Sequence, residues 1–248
     1  MKEGVEERLE GSQGSSKQNQ ERLRKSGKKE QGRSDAKAKH LKTAILMLGL
    51  FTLWTVIVCI ADVRPAGPNG SEVGLATINM AFHELIGENL GFYYATDVLS
   101  LIPLLIMLGF ALLGASQLIK RRSLSKVDRD LLALGALYAL LLAAWVGFDA
   151  VAINYRPLLI EGKLEPSYPS STTLLMLSVI LTAATQSKRR IKPAILGTTA
   201  SNCLVAFAIL MVVARTLSGV HWITDIIGGV LLSAGLVTIY FSICNNLK

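Results

Sequence analysis

Six times after residue 42 the chain runs for about 20 residues with almost no charge, the length a helix needs to cross a bilayer's hydrocarbon core. The runs are 43–61, 98–119, 131–148, 166–187, 193–214 and 226–247. The third continues to residue 155 with Asp149 as its only charge, and the fourth has the shortest purely apolar part. This rhythm predicts an all-α fold, a polytopic membrane protein built as a six-helix transmembrane bundle. A water-facing globule is excluded by where the charge lies. Residues 1–42 hold 12 of the 26 Lys and Arg and 7 of the 18 Asp and Glu, so the remaining 206 positions share 25 charges.

Two regions follow from this division. Residues 1–42 are rich in Lys, Glu, Ser, Gly and Gln and lack aromatic residues. Such a segment cannot offset the entropy of ordering its backbone, which predicts a disordered basic cytoplasmic tail. Residues 43–248 form the membrane domain. Its orientation follows from loop cations. With the tail inside, the inner connections carry Lys120, Arg121, Arg122, Lys126, Arg129, Lys188, Arg189, Arg190 and Lys192, with Lys248 at the end. The outer connections carry Arg64, Arg156, Lys163 and Arg215. Both termini are therefore expected in the cytoplasm. Basic charge confined to the tail and inner loops gives no reason to expect a nucleic-acid partner.

The outer segments hold the chemistry. His221 and Asp225 stand four residues apart, one helical turn, so the carboxylate can fix the imidazole tautomer and leave the other nitrogen free as base, nucleophile or ligand. The same spacing also suits a polar pair capping the sixth helix. Arg215 lies six residues before His221, and Arg156-Pro157 opens an earlier outer loop. Guanidinium groups bind phosphate oxygens in a planar fork and stay charged at any working pH. A carboxylate-backed histidine beside two arginines suits attack on a phosphoryl group. The segment Pro169-Ser170-Ser171 before the fourth run offers hydroxyl and helix N-terminal donors. Asn154 and Tyr155 read as anchors ending the third helix at the interface.

These residues resemble the signature of the type 2 phosphatidic acid phosphatases: K-x6-R-P, then P-S-G-H, then S-R-x5-H-x3-D, on six helices. Arg215, His221 and Asp225 fit the third motif, with Ala214 where serine is usual. Arg156-Pro157 fits the end of the first motif, and Pro169-Ser170-Ser171 the start of the second. The resemblance implies that His221 is the nucleophile that becomes a phosphohistidine and that Asp225 orients it. It implies that Arg156, Arg215, Ser170 and Ser171 hold the phosphate. It further implies a lipid phosphate or diphosphate substrate, the extracytoplasmic face of a membrane, expected to be the cell membrane, and no metal or cofactor.

Two positions depart from the pattern. Asp149 stands where the family has lysine, and Thr172 stands where it has the histidine that protonates the leaving group. A diphosphate substrate, whose leaving group is weakly basic, would need that acid less. The alternative is a catalytically silent relative that binds a lipid phosphate or a partner protein. His83, in a short amphipathic outer segment, is the one histidine placed to substitute for the missing acid.

Overall fold

The structure is a computed structural model that describes residues 3–244; Lys248 and the other end residues lie outside them. Eight helices follow in order: α1 (Glu3–Ile60), α2 (Ala76–Ile86), α3 (Leu90–Leu99), α4 (Leu101–Arg121), α5 (Arg129–Val151), α6 (Ser171–Arg190), α7 (Ala194–Leu217) and α8 (Ile223–Cys244). Only isolated β-bridges accompany them among the described residues. Five helical stretches are long and apolar enough to cross a membrane: Ser26–Ile60, Leu90–Arg121, Arg129–Val151, Ala194–Leu217 and Ile223–Cys244. The chain is an all-α integral membrane protein.

The fourth expected run behaves differently from the rest. Its helix, α6, is not among those five stretches. It lies inside the bundle, packed against α4, α5, α7 and α8. A helix enclosed by other helices meets little lipid, so it can carry polar groups provided they find partners. Thr182 donates to the Ser178 carbonyl at 2.8 Å and shares a 3.1 Å hydrogen bond with Tyr138 of α5. Gln186, also buried, bonds the Tyr240 hydroxyl and donates to Asp130 at 3.0 Å. The outer helices show the opposite pattern, with Leu105, Val146, Ile195 and Leu210 exposed as a lipid-facing surface.

Residues 3–42 depart from the expected disorder, since their backbone continues as helix into α1. Nucleating a helix is costly, but extending one from a formed membrane helix adds one hydrogen bond per residue fixed. The Lys, Glu, Gln and Arg content of this stretch allows that extension. Side chains between 26 and 43 are mostly exposed, as a polar helix outside the bundle should be. Beyond them α1 packs on α8, where Gly235 lets Leu48 approach: a Cβ there would sit 2.5 Å from Leu48 Cδ2.

The end of the bundle bearing the basic loops is tied by ions. Asp130 of α5 accepts two hydrogen bonds from Arg190 of α6, at 2.9 and 2.8 Å, and lies 3.6 Å from Arg189. Asp128 accepts from Gln117 at 2.8 Å, Arg121 at 2.9 Å and Arg190 at 3.2 Å. Hydrogen bonds from Gln117 and Arg121 hold its carboxyl at about 2, well below the usual carboxylate range. This network joins α4, α5 and α6 at the end opposite the site described next.

Candidate active site

The other end of the bundle gathers the residues singled out in sequence. Arg215 lies in the last turn of α7, Asp225 in the first turn of α8, and His221 in the turn between them. All three are buried, at 1%, 0% and 4% exposure. One Arg215 nitrogen, Nη1, donates to Thr96 Oγ1 at 3.1 Å, and Nη2 lies 3.5 Å from His221 Nε2. Its guanidinium sits 5.1 Å from the centre of the Tyr93 ring, and Nε has no partner among the described residues. Asp225 Oδ2 stands 3.6 Å from His221 Nδ1. That separation is an electrostatic contact and too long for a hydrogen bond.

The Asp225 carboxylate is held in place independently of the imidazole. It accepts from the Trp222 backbone N–H at 3.1 Å and from Asn154 Nδ2 at 3.3 Å. Asn154 is fully buried, and its Oδ1 accepts from the Gly74 N–H at 3.0 Å. The interface-anchor reading of Asn154 is therefore corrected: it links the α1–α2 loop to the carboxylate behind His221.

Arg156 follows α5 and reaches the same place. Its Nε is 3.1 Å from Glu165 Oε2, its guanidinium is 6.0 Å from the Tyr93 ring centre, and buried Nη1 has no partner. The loop is pinned because Tyr155 O accepts from Trp222 Nε1 at 2.7 Å and Arg156 N donates to Glu165 O at 3.0 Å. Two guanidiniums thus flank one aromatic face, whose π-electrons reduce their mutual repulsion. His221 feels the result. Burial, then the charges of Arg156 and Arg215, push its pKa well below 6.5, leaving a neutral imidazole.

The second-motif residues divide. Ser170 is the N-cap of α6; its Oγ accepts from Thr173 N at 3.4 Å and Thr173 Oγ1 at 3.1 Å, and its N–H donates to the Asp225 carbonyl at 3.0 Å. Ser171 lines a small cavity of about 20 Å³ together with His221 and Asp149. Thr172 is buried in α6 and does not line that cavity. His83 packs its ring edge-on to Trp222, with centres 5.6 Å apart, and lies 3.5 Å from Glu88. Sequence reasoning missed Tyr93, Thr96 and Glu165. Their partners lie 59 or more positions away except for Glu165, whose opposite charge near Arg156 was the one available signal.

The loop holding His221 depends on Gly219. Its φ is +68°, and a Cβ there would lie 2.1 Å from the Gly87 carbonyl oxygen. Neither the left-handed backbone nor that backbone contact tolerates a methyl group. Gly219→Ala is expected to destabilise the fold by roughly 2–4 kcal/mol, read as a lower unfolding temperature in detergent. An unchanged unfolding temperature would show that this close approach has little weight.

Comparison with known proteins fits this geometry. Residues 151–248 match the model of the PAP2 superfamily, a stretch that contains Arg156, Ser170, Ser171, Arg215, His221 and Asp225 but leaves out Asp149. Among solved structures, the chain is similar in fold to one described as the first transmembrane PAP2 type phosphatidylglycerolphosphate phosphatase from Bacillus subtilis. The TM-score is 0.52 at 15% identity, covering 81% of this chain and 94% of that one. No relative was found among curated proteins.

Proposed function

From the premise that residues 151–248 belong to the PAP2 superfamily, we propose that this protein is a membrane phosphatase acting on a lipid phosphate or diphosphate. The observation that carries the reading is the buried trio of His221, Arg215 and Arg156. An uncharged imidazole nitrogen faces a guanidinium at 3.5 Å, and buried arginine donors have no protein partner. A phosphoryl group on Nε2 would lie against that guanidinium. Nε2 attacks phosphorus, the bond to the leaving oxygen breaks, and the two arginines take up charge on the remaining oxygens. Water then cleaves the phosphohistidine. Asp225 favours the developing positive charge on the ring.

The loop cations support a site on the extracytoplasmic face of a cell membrane, with both termini in the cytoplasm and the polar 1–42 segment outside the membrane domain 43–248. The direct test is a chase of purified protein with radiolabelled lipid phosphate. An acid-labile, alkali-stable phosphoprotein absent from His221→Ala supports the reading. Phosphate release without that species would overturn the covalent route. Absence of both, with lipid still bound, would favour the catalytically silent relative, a reading that Thr172 in place of the acid keeps in view.

The pH dependence follows from the imidazole. Because burial and two cations lower its pKa below 6.5, the nucleophile remains unprotonated as pH falls through that value. The rate constant kcat for phosphate release is expected to decline only at lower pH. An acid limb centred at 6.5 or above would contradict the assignment of His221.

A further inference from the structure

Asp149 is hard to explain if phosphate is the only charge the site must recognise. It lies exposed in the last turn of α5, at the boundary of a membrane-spanning segment, and pairs with no described residue. The C-terminal end of a helix carries partial negative charge, so its own helix disfavours a carboxylate there. A cation removes both penalties. The small cavity beside it is walled by Trp145, Phe148 and Tyr168 as well as by Asp149, Ser171 and His221. Aromatic faces next to a carboxylate are the surroundings that bind organic ammonium groups. Its volume of about 20 Å³ admits little more than a water. An ammonium group would therefore sit at the mouth, between exposed Asp149 and Trp145, which is 42% exposed.

The opposite wall has the opposite sign. Ser171 begins α6, whose N-terminal N–H groups carry partial positive charge, and Arg215 stands behind His221 Nε2. A negative wall and a positive wall thus share His221.

Resting on the phosphatase reading above, we propose that the site selects zwitterionic lipid phosphates, monoesters of amino alcohols whose protonated amine neighbours the phosphate. The ammonium group lies against Asp149 and Trp145, and the phosphate against Arg215 and Arg156. The same ammonium supplies the proton that Thr172 cannot. As Nε2 bonds to phosphorus and the P–O ester bond breaks, its electron pair stays on the ester oxygen, which takes a proton from the adjacent ammonium. The amino alcohol leaves as a neutral amine and regains its proton from water.

The test compares sphinganine phosphate with its N-acetyl derivative, the same chain without the charge. Wild type is expected to favour the amine by roughly tenfold in kcat/KM, Asp149→Asn to lose the preference, and Asp149→Lys to reverse it. Binding of both lipids to His221→Ala is measured in parallel, so the preference is read without turnover. Amine preference in binding with no turnover by wild type sinks the phosphatase reading and retains the zwitterion site. Turnover with equal kcat/KM for both lipids does the reverse. Equal binding of both lipids, or binding of neither, overturns the proposal, as does a preference that appears only with added magnesium. An N,N,N-trimethyl analogue keeps the charge without an N–H. It is expected to bind equally but to release phosphate about 100-fold more slowly; equal release would overturn the proton-transfer step.

Discussion

Replacing His221 with alanine is expected to lower phosphate release by about 10⁴-fold or more while leaving the fold and lipid binding largely intact. The size follows from removing the atom that attacks phosphorus, for which no neighbour substitutes. His83 is turned toward Trp222 and Glu88, and Thr172 is buried in α6. The fold should survive because the turn is held by other groups: Trp222 Nε1 on Tyr155 O at 2.7 Å, and Trp222 N on Asp225 at 3.1 Å. His221 Nδ1 itself has no hydrogen-bond partner, so its loss strands no donor or acceptor. Arg156 and Arg215 remain to hold phosphate, so affinity should fall far less than rate. Release by purified His221→Ala within tenfold of wild type would remove His221 from the chemistry.

The second large effect concerns stability at the other end of the bundle. Asp130→Ala is expected to cost about 2–3 kcal/mol, below the usual figure for a broken buried pair because the network is partly exposed. Its carboxylate accepts from Arg190 twice and from Gln186 once, at 2.8 to 3.0 Å, with Arg189 at 3.6 Å. Removing it leaves two cations of one helix turn facing each other without a counter-charge. That helix is α6, which meets little lipid and relies on polar ties of this kind. Asp130→Asn keeps an acceptor and should cost less. The measurement is thermal unfolding in detergent, with phosphate release assayed well below the transition. A drop in unfolding temperature with normal release at low temperature is expected; an unchanged unfolding temperature would mean the network is solvent-screened.

Much of the architecture was open to reading along the chain. Transfer of apolar side chains into lipid is a local, additive quantity, so runs such as 98–119 and 193–214 announce helices without reference to the rest of the fold. The Arg215, His221 and Asp225 spacing was legible for the same reason, since all three lie within eleven positions of one turn. The tail was misread because local composition says nothing of a helix extended from a neighbour.

What tertiary structure decided is where distant parts converge. Tyr93 lies beside both guanidiniums, Asn154 ties Asp225 to Gly74, and α6 occupies the interior. Asp149, at a position where a phosphate-binding cation was expected, lines the His221 cavity, whereas Thr172 does not. No periodicity encodes these facts. They depend on which faces of separate helices pack together, and that is fixed by the shapes and charges of all the helices at once.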